Sequence, residues 1–141
     1  SFNGYRSGED VEVLTAAKIL PANCHGMLFL LDKALGFVVT LPRLVNDKKR
    51  LTLKFIVKTA PARGTYVITE NAAFDTNKVI TNGINELEVD TGDDGPSNTG
   101  HTTITFADGV AVAGDWIELE SDGVNWYCTG QTKVDGGITL A

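Results

Sequence analysis

The stretch Gly114-Asp115-Trp116-Ile117-Glu118-Leu119-Glu120-Ser121-Asp122-Gly123-Val124-Asn125-Trp126-Tyr127-Cys128-Thr129-Gly130 decides the fold class. Ile117 and Leu119 alternate with Trp116, Glu118 and Glu120, the period of two that marks a half-buried strand. Ser121 to Asn125 supplies a turn, because Asp and Asn side chains bond their own backbone and Gly123 tolerates positive φ. The chain returns through Trp126-Tyr127-Cys128-Thr129 and stops at Gly130. Aromatic and β-branched residues suit such a pleated surface. No nucleophile stands beside a base here, so the hairpin reads as structural.

The same period extends outward along the chain. Leu51, Leu53, Phe55 and Val57 form one face of the cleanest strand, with Thr52, Lys54, Ile56 and Lys58 opposite. Phe37, Val39 and Leu41 share a face, and Pro42 ends their strand for want of an N–H. Further strands are expected at 11–14, 26–31, 65–69, 101–106 and 138–140; 15–20 could form a helical turn before Pro21 but reads better as irregular or strand. Asn82-Gly83 between Lys78–Thr81 and Ile84–Asp90 predicts a type I′ hairpin. Without a convincing amphipathic helix, the pattern implies an all-β, antiparallel sandwich (a jelly-roll among them) or barrel over 11–141. Residues 1–10, lacking either period, read as an extended N-terminal arm. Its Phe2, Tyr5 and Arg6 are the residue types that anchor interfaces.

A length of 141 residues, 43% apolar and 21% charged, fits one globular domain with a real core. The longest apolar run, Gly26 to Leu31, is too short to span a bilayer, and Ser1 to Asp10 lacks the apolar segment of a signal peptide. An N-terminal Ser leads us to expect removal of an initiator Met and folding in a cytoplasm. Cys24 and Cys128 are too few for a disulfide scaffold and are expected reduced and buried. The net charge of −6 argues against nucleic acid as a direct partner. Basic residues nonetheless concentrate between Arg43 and Arg63, including Lys48, Lys49 and Arg50. Acids fill 86–122, where no Lys or Arg occurs. Two solvated faces would explain this split; so would a charge-complementary contact between copies or with a larger assembly.

Candidate chemistry is sparse. Asp90 to Gly95 crowds carboxylates as calcium loops do, but Gly92 and His101 break the EF-hand pattern. Cys24, His25, His101 and Cys128 have zinc-ligand chemistry without a zinc spacing. Glu118 and Glu120 lie two apart on one strand face, unlike a glycosidase pair drawn from different elements. No catalytic residue, metal or cofactor is therefore assigned. Trp116 beside Glu118 suits either a sugar platform or an interface.

Three segments resemble the head decoration (cement) proteins of tailed bacteriophages: Gly36 to Pro42, Leu53 to Pro61 and Gly114 to Tyr127, together with the Gly136-Gly137-Ile138-Thr139-Leu140 tail. The resemblance spans most of the chain from about Leu14 onward. It implies a β-sandwich or β-tulip trimer on the outer capsid surface, made in the host bacterial cytoplasm. There it would bridge capsomers through contacts with the major capsid protein, with no membrane involved. It gives Phe2, Tyr5 and Arg6 an arm's role in such contacts. The Lys48-Lys49-Arg50 run has no counterpart in it, although its charge makes it, with Trp116, an interface candidate. The alternative is a receptor-binding or tail-fibre β-module that recognises a host glycan through Trp116 or Tyr127.

Overall fold

The computed structural model describes residues 10–44, 50–75, 80–88 and 100–141. Phe2, Tyr5, Arg6, Lys48, Lys49 and the acidic loop 90–95 lie outside them. The described residues contain strands and turns and no helix. The strands are β1 (Val11–Leu14), β2 (Lys18–Ile19), β3 (Leu28–Leu31), β4 (Gly36–Thr40), β5 (Leu51–Val57) and β6 (Thr65–Thr69), then β7 (Ile80–Thr81), β8 (Ile84–Glu86), β9 (Thr103–Phe106), β10 (Trp116–Ser121), β11 (Trp126–Thr132) and β12 (Ile138–Leu140). The all-β expectation holds.

The strands form a seven-stranded sheet, ordered β1-β3-β5-β10-β11-β7 with β8 also on β11, and a five-stranded sheet ordered β12-β9-β6-β4-β2. From β1 to β6 the chain changes sheet at every strand. Strands that neighbour each other in one sheet are therefore separated by a strand in the other, and they run parallel: β1 with β3, β3 with β5, β2 with β4, β4 with β6. Among the described strands, antiparallel pairs are β5–β10, β10–β11, β6–β9 and β9–β12, with an isolated antiparallel bridge between Ile80 and His101. The antiparallel expectation is thus corrected to mixed sheets. Short strands at regular spacing look alike in sequence whether a connection folds back beside its strand or crosses the core.

The turns after β3 and β5 stack on one another, which keeps those crossings short. Ala62 N–H donates to Ala34 C=O at 2.7 Å. A Cβ at Gly36, whose φ is +74°, would collide with the Thr65 backbone, and one at Gly64 with the Leu35 carbonyl. The Tyr66 hydroxyl staples this end: it accepts from Lys33 N–H at 2.8 Å and donates to Thr59 C=O at 2.7 Å.

Asn82-Gly83 does not turn a hairpin. Both β7 and β8 run parallel to β11, in one continuous register that pairs Thr81 with Tyr127 and Ile84 with Gly130. The Asn82 side chain accepts from Ile84 N–H at 3.0 Å, and a Cβ on Gly83 would press on the Cys128 carbonyl. These two residues interrupt a strand against a close neighbour, and Gly83 is not among the positive-φ glycines a type I′ turn requires.

Inward residues of both sheets form one hydrophobic cluster, with Phe29, Phe55, Tyr66, Phe106 and Trp126 its largest fully buried members. Phe29 stacks on Phe55 at 5.2 Å between ring centroids. Truncating Phe55 to Ala removes this contact at a cost of about 3–5 kcal/mol.

Candidate functional site

The outward face of the seven-stranded sheet holds the described site candidates, Arg50 and Trp116. Its centre is the hairpin read from sequence, which extends past Gly130 to Thr132. β10 pairs with β11 from Trp116–Gln131 to Ser121–Trp126 and with β5 from Trp116–Ile56 to Ser121–Leu51. Alternation sends Ile117 and Leu119 into the core and leaves Trp116, Glu118 and Glu120 half-buried outside. The turn is tied by its own side chains. The Asp122 carboxylate accepts from Val124 and Asn125 N–H, both at 2.8 Å, and from the Tyr127 hydroxyl at 2.9 Å. The Asn125 and Val124 amides hold the Asp122 carboxyl below its usual range, and that carboxylate in turn raises the Tyr127 phenol.

The register places the basic and acidic segments side by side in one chain. Arg50 Nε meets Glu120 Oε1 at 2.9 Å, and Lys54 is the cross-strand partner of Glu118. Lys54 Nζ lies 4.7 Å from the centroid of the Trp116 ring. Lys58 pairs with Asp32 at 3.5 Å. Arg50–Glu120 thus joins the basic and acidic segments within one chain, while Lys58 finds its acid outside the acidic segment. Arg50 and Trp116 themselves stand at opposite ends of the β5–β10 pair.

Between them the face divides into two halves. Toward β1, Val13, Leu30, Ile56 and Trp116 are successive cross-strand partners, forming an apolar row across four strands. Val11 and Leu28 widen it on the side of Lys54. Val11 and Val13 are 57% and 44% exposed, and the others are half-buried. Toward β11, Glu118, Glu120, Asp122, Tyr127 and Thr129 line a shallow depression. Glu118 makes no ion pair among the described residues, and the Tyr127 side chain is 45% exposed there. Sequence reasoning missed the apolar row as a unit. Val11 and Val13 showed their alternation, but nothing local to that strand says which side faces the core.

The described metal candidates do not assemble. Among the described residues no group of three or more His, Cys, Asp and Glu could hold an ion. His25 Nδ1 accepts from Thr52 N–H at 3.0 Å, and His101 pairs its backbone with Ile80. Cys24 and Cys128 are free and buried, and burial pushes both thiols up to about 12. Compared with protein-family models, curated proteins and solved structures, the chain matches none.

Proposed function

We propose that this chain is a structural virion protein: a decoration (cement) protein that binds the outer surface of a tailed-phage capsid as a homotrimer and bridges neighbouring capsomers. The observation that supports this reading best is the apolar row Val13–Leu30–Ile56–Trp116 on an outward sheet face. A contiguous row of partly exposed apolar side chains on a sheet face suits contact with another protein. The mechanism is adhesion. Apolar area supplies the attraction, and Lys58 and Asp32, which flank the row, already pair with each other. One such face is small, and symmetric repetition of weak contacts makes the assembly tight.

Co-sedimentation with undecorated capsids tests the proposal. The wild-type protein binds and raises the temperature of capsid rupture. Ile56→Glu, which places a charge in the row without touching the core, loses binding while its own unfolding midpoint stays near that of the wild type. Wild-type protein that stays in the supernatant, or an Ile56→Glu variant that binds undiminished, refutes the reading.

A second reading, a receptor-binding module for a host glycan, is favoured by one feature. The exposed Tyr127 ring shares its depression with Glu118, Glu120 and Thr129, an aromatic face with acceptors that suit sugar hydroxyls. Trp116 is a poorer platform, because the Lys54 ammonium lies over its ring. Glycan binding lost on Tyr127→Ala, with capsids ignored, would establish this reading over the first.

A further inference from the structure

We propose that the outer edge of β1 is a strand-addition site, and that its occupant is β1 of a second copy of this chain. This goes beyond the decoration reading and does not depend on it. In the parallel ladder with β3, Leu28 N–H donates to Asp10 C=O at 3.2 Å and Asp32 N–H to Leu14 C=O at 2.9 Å. Asp10, Glu12 and Leu14 thus direct their backbone groups at β3. By the same alternation, Val11 and Val13 direct theirs away from the sheet.

Among the described residues nothing bonds to those groups, and no proline or bulge blunts the strand. Open edges of this kind are templates for pairing. The far side of the same sheet is treated differently: at β7, Ile80 and His101 exchange backbone bonds of 3.0 and 2.7 Å.

The self-complementarity of the edge identifies the partner. Two β1 strands related by a two-fold axis run antiparallel, with Val11 of one copy opposite Val13 of the other. Both valines then exchange N–H and C=O with a valine across the axis, and every outward backbone group of both is bonded. The exposed valine side chains meet as cross-strand pairs on the apolar face. Glu12 falls opposite Glu12 on the other surface of the sheet. Each carboxylate already holds Lys18 Nζ at 2.8 Å, so two cations accompany the two anions and the juxtaposition is not a like-charge block. The edge of the other sheet at β2 is less suited: Leu20 N–H is bonded to Thr40 C=O, which leaves Ile19 as the one outward residue of that strand. Joined at β1, two copies would merge their apolar rows into one continuous surface.

The test is molar mass by light scattering over a concentration series, for wild type, Val13→Pro and Val13→Lys. Proline at position 13 removes an N–H from the free edge alone and leaves the β3 ladder intact. The wild type is expected to reach at least twice the mass of either variant, with association weakened at least about tenfold by each substitution. A trimer-forming protein falls from hexamer or larger to trimer on substitution, and a non-trimeric one from dimer to monomer, so the trimer proposal and this one are read separately. Equal masses at every concentration, with the variants melting like the wild type, overturn the inference. Should the variants not fold, amide exchange of the wild type decides. Val11 and Val13 must slow as concentration rises; rates independent of concentration, as when the chain's own first residues cover the edge, refute the pairing.

Discussion

Asp115 holds the base of the β10–β11 hairpin, and its removal should unseat the whole outward face. Its side chain is buried and accepts three hydrogen bonds: Val112 N–H at 3.0 Å, the Thr132 hydroxyl at 2.8 Å and Lys133 N–H at 3.1 Å. In Asp115→Ala the Thr132 hydroxyl can still donate to Val134 C=O at 3.3 Å, but the two backbone N–H groups lose their acceptor. Both bonds are only partly buried. A hydrogen bond to a charged group contributes about 1.5–3 kcal/mol, so losing the two should cost about 4 kcal/mol, toward the low end of their sum. With an unfolding entropy of about 2.1 cal/mol/K per residue, a chain of 141 residues loses about 13 °C in Tm. Asp115→Asn keeps one acceptor oxygen and turns an amide against one donor; it should lose about 1–2 kcal/mol, or roughly 5 °C. Thermal unfolding followed by near-ultraviolet circular dichroism measures both. An Asp115→Ala protein that melts within about 3 °C of wild type refutes the argument that these bonds hold the hairpin.

The Asp122–Tyr127 pair makes a pH prediction. The depressed Asp122 carboxyl contributes stability above the unfolded carboxyl value of about 4, and that stability is lost as pH falls through the lower folded value. Asp122→Asn should therefore flatten the acid limb of a plot of Tm against pH. The same substitution should bring the raised Tyr127 phenol back down toward about 10, which an ultraviolet titration reads directly. No movement would show that Asp122 does not set that phenol. With both thiols buried and raised to about 12, Cys24 and Cys128 should resist a thiol reagent at neutral pH and react together on denaturation. Rapid labelling of the folded protein would contradict their placement in the core.

Sequence alone determined what is local in this protein. Alternation grouped Leu53, Phe55 and Val57 on one strand face and Ile117 and Leu119 on another, the faces the structure buries, and Asp122, Gly123 and Asn125 marked a turn that the structure forms. These properties depend on residues within a few positions of each other, where a period of two and turn chemistry act. Which strands become neighbours is different, because it depends on contacts between distant segments whose ends look the same in sequence. Asn82-Gly83 has the composition of a hairpin turn, yet β11 captures the strands on both sides of it in parallel register. Lys54 and Glu118 belong to segments that sequence separates as basic and acidic, and the antiparallel pairing of β5 with β10 makes them cross-strand neighbours. The apolar row has the same origin. Val13, Leu30, Ile56 and Trp116 come from four separate strands, and only sheet order and register, settled by the packing of one shared core, align them into a surface.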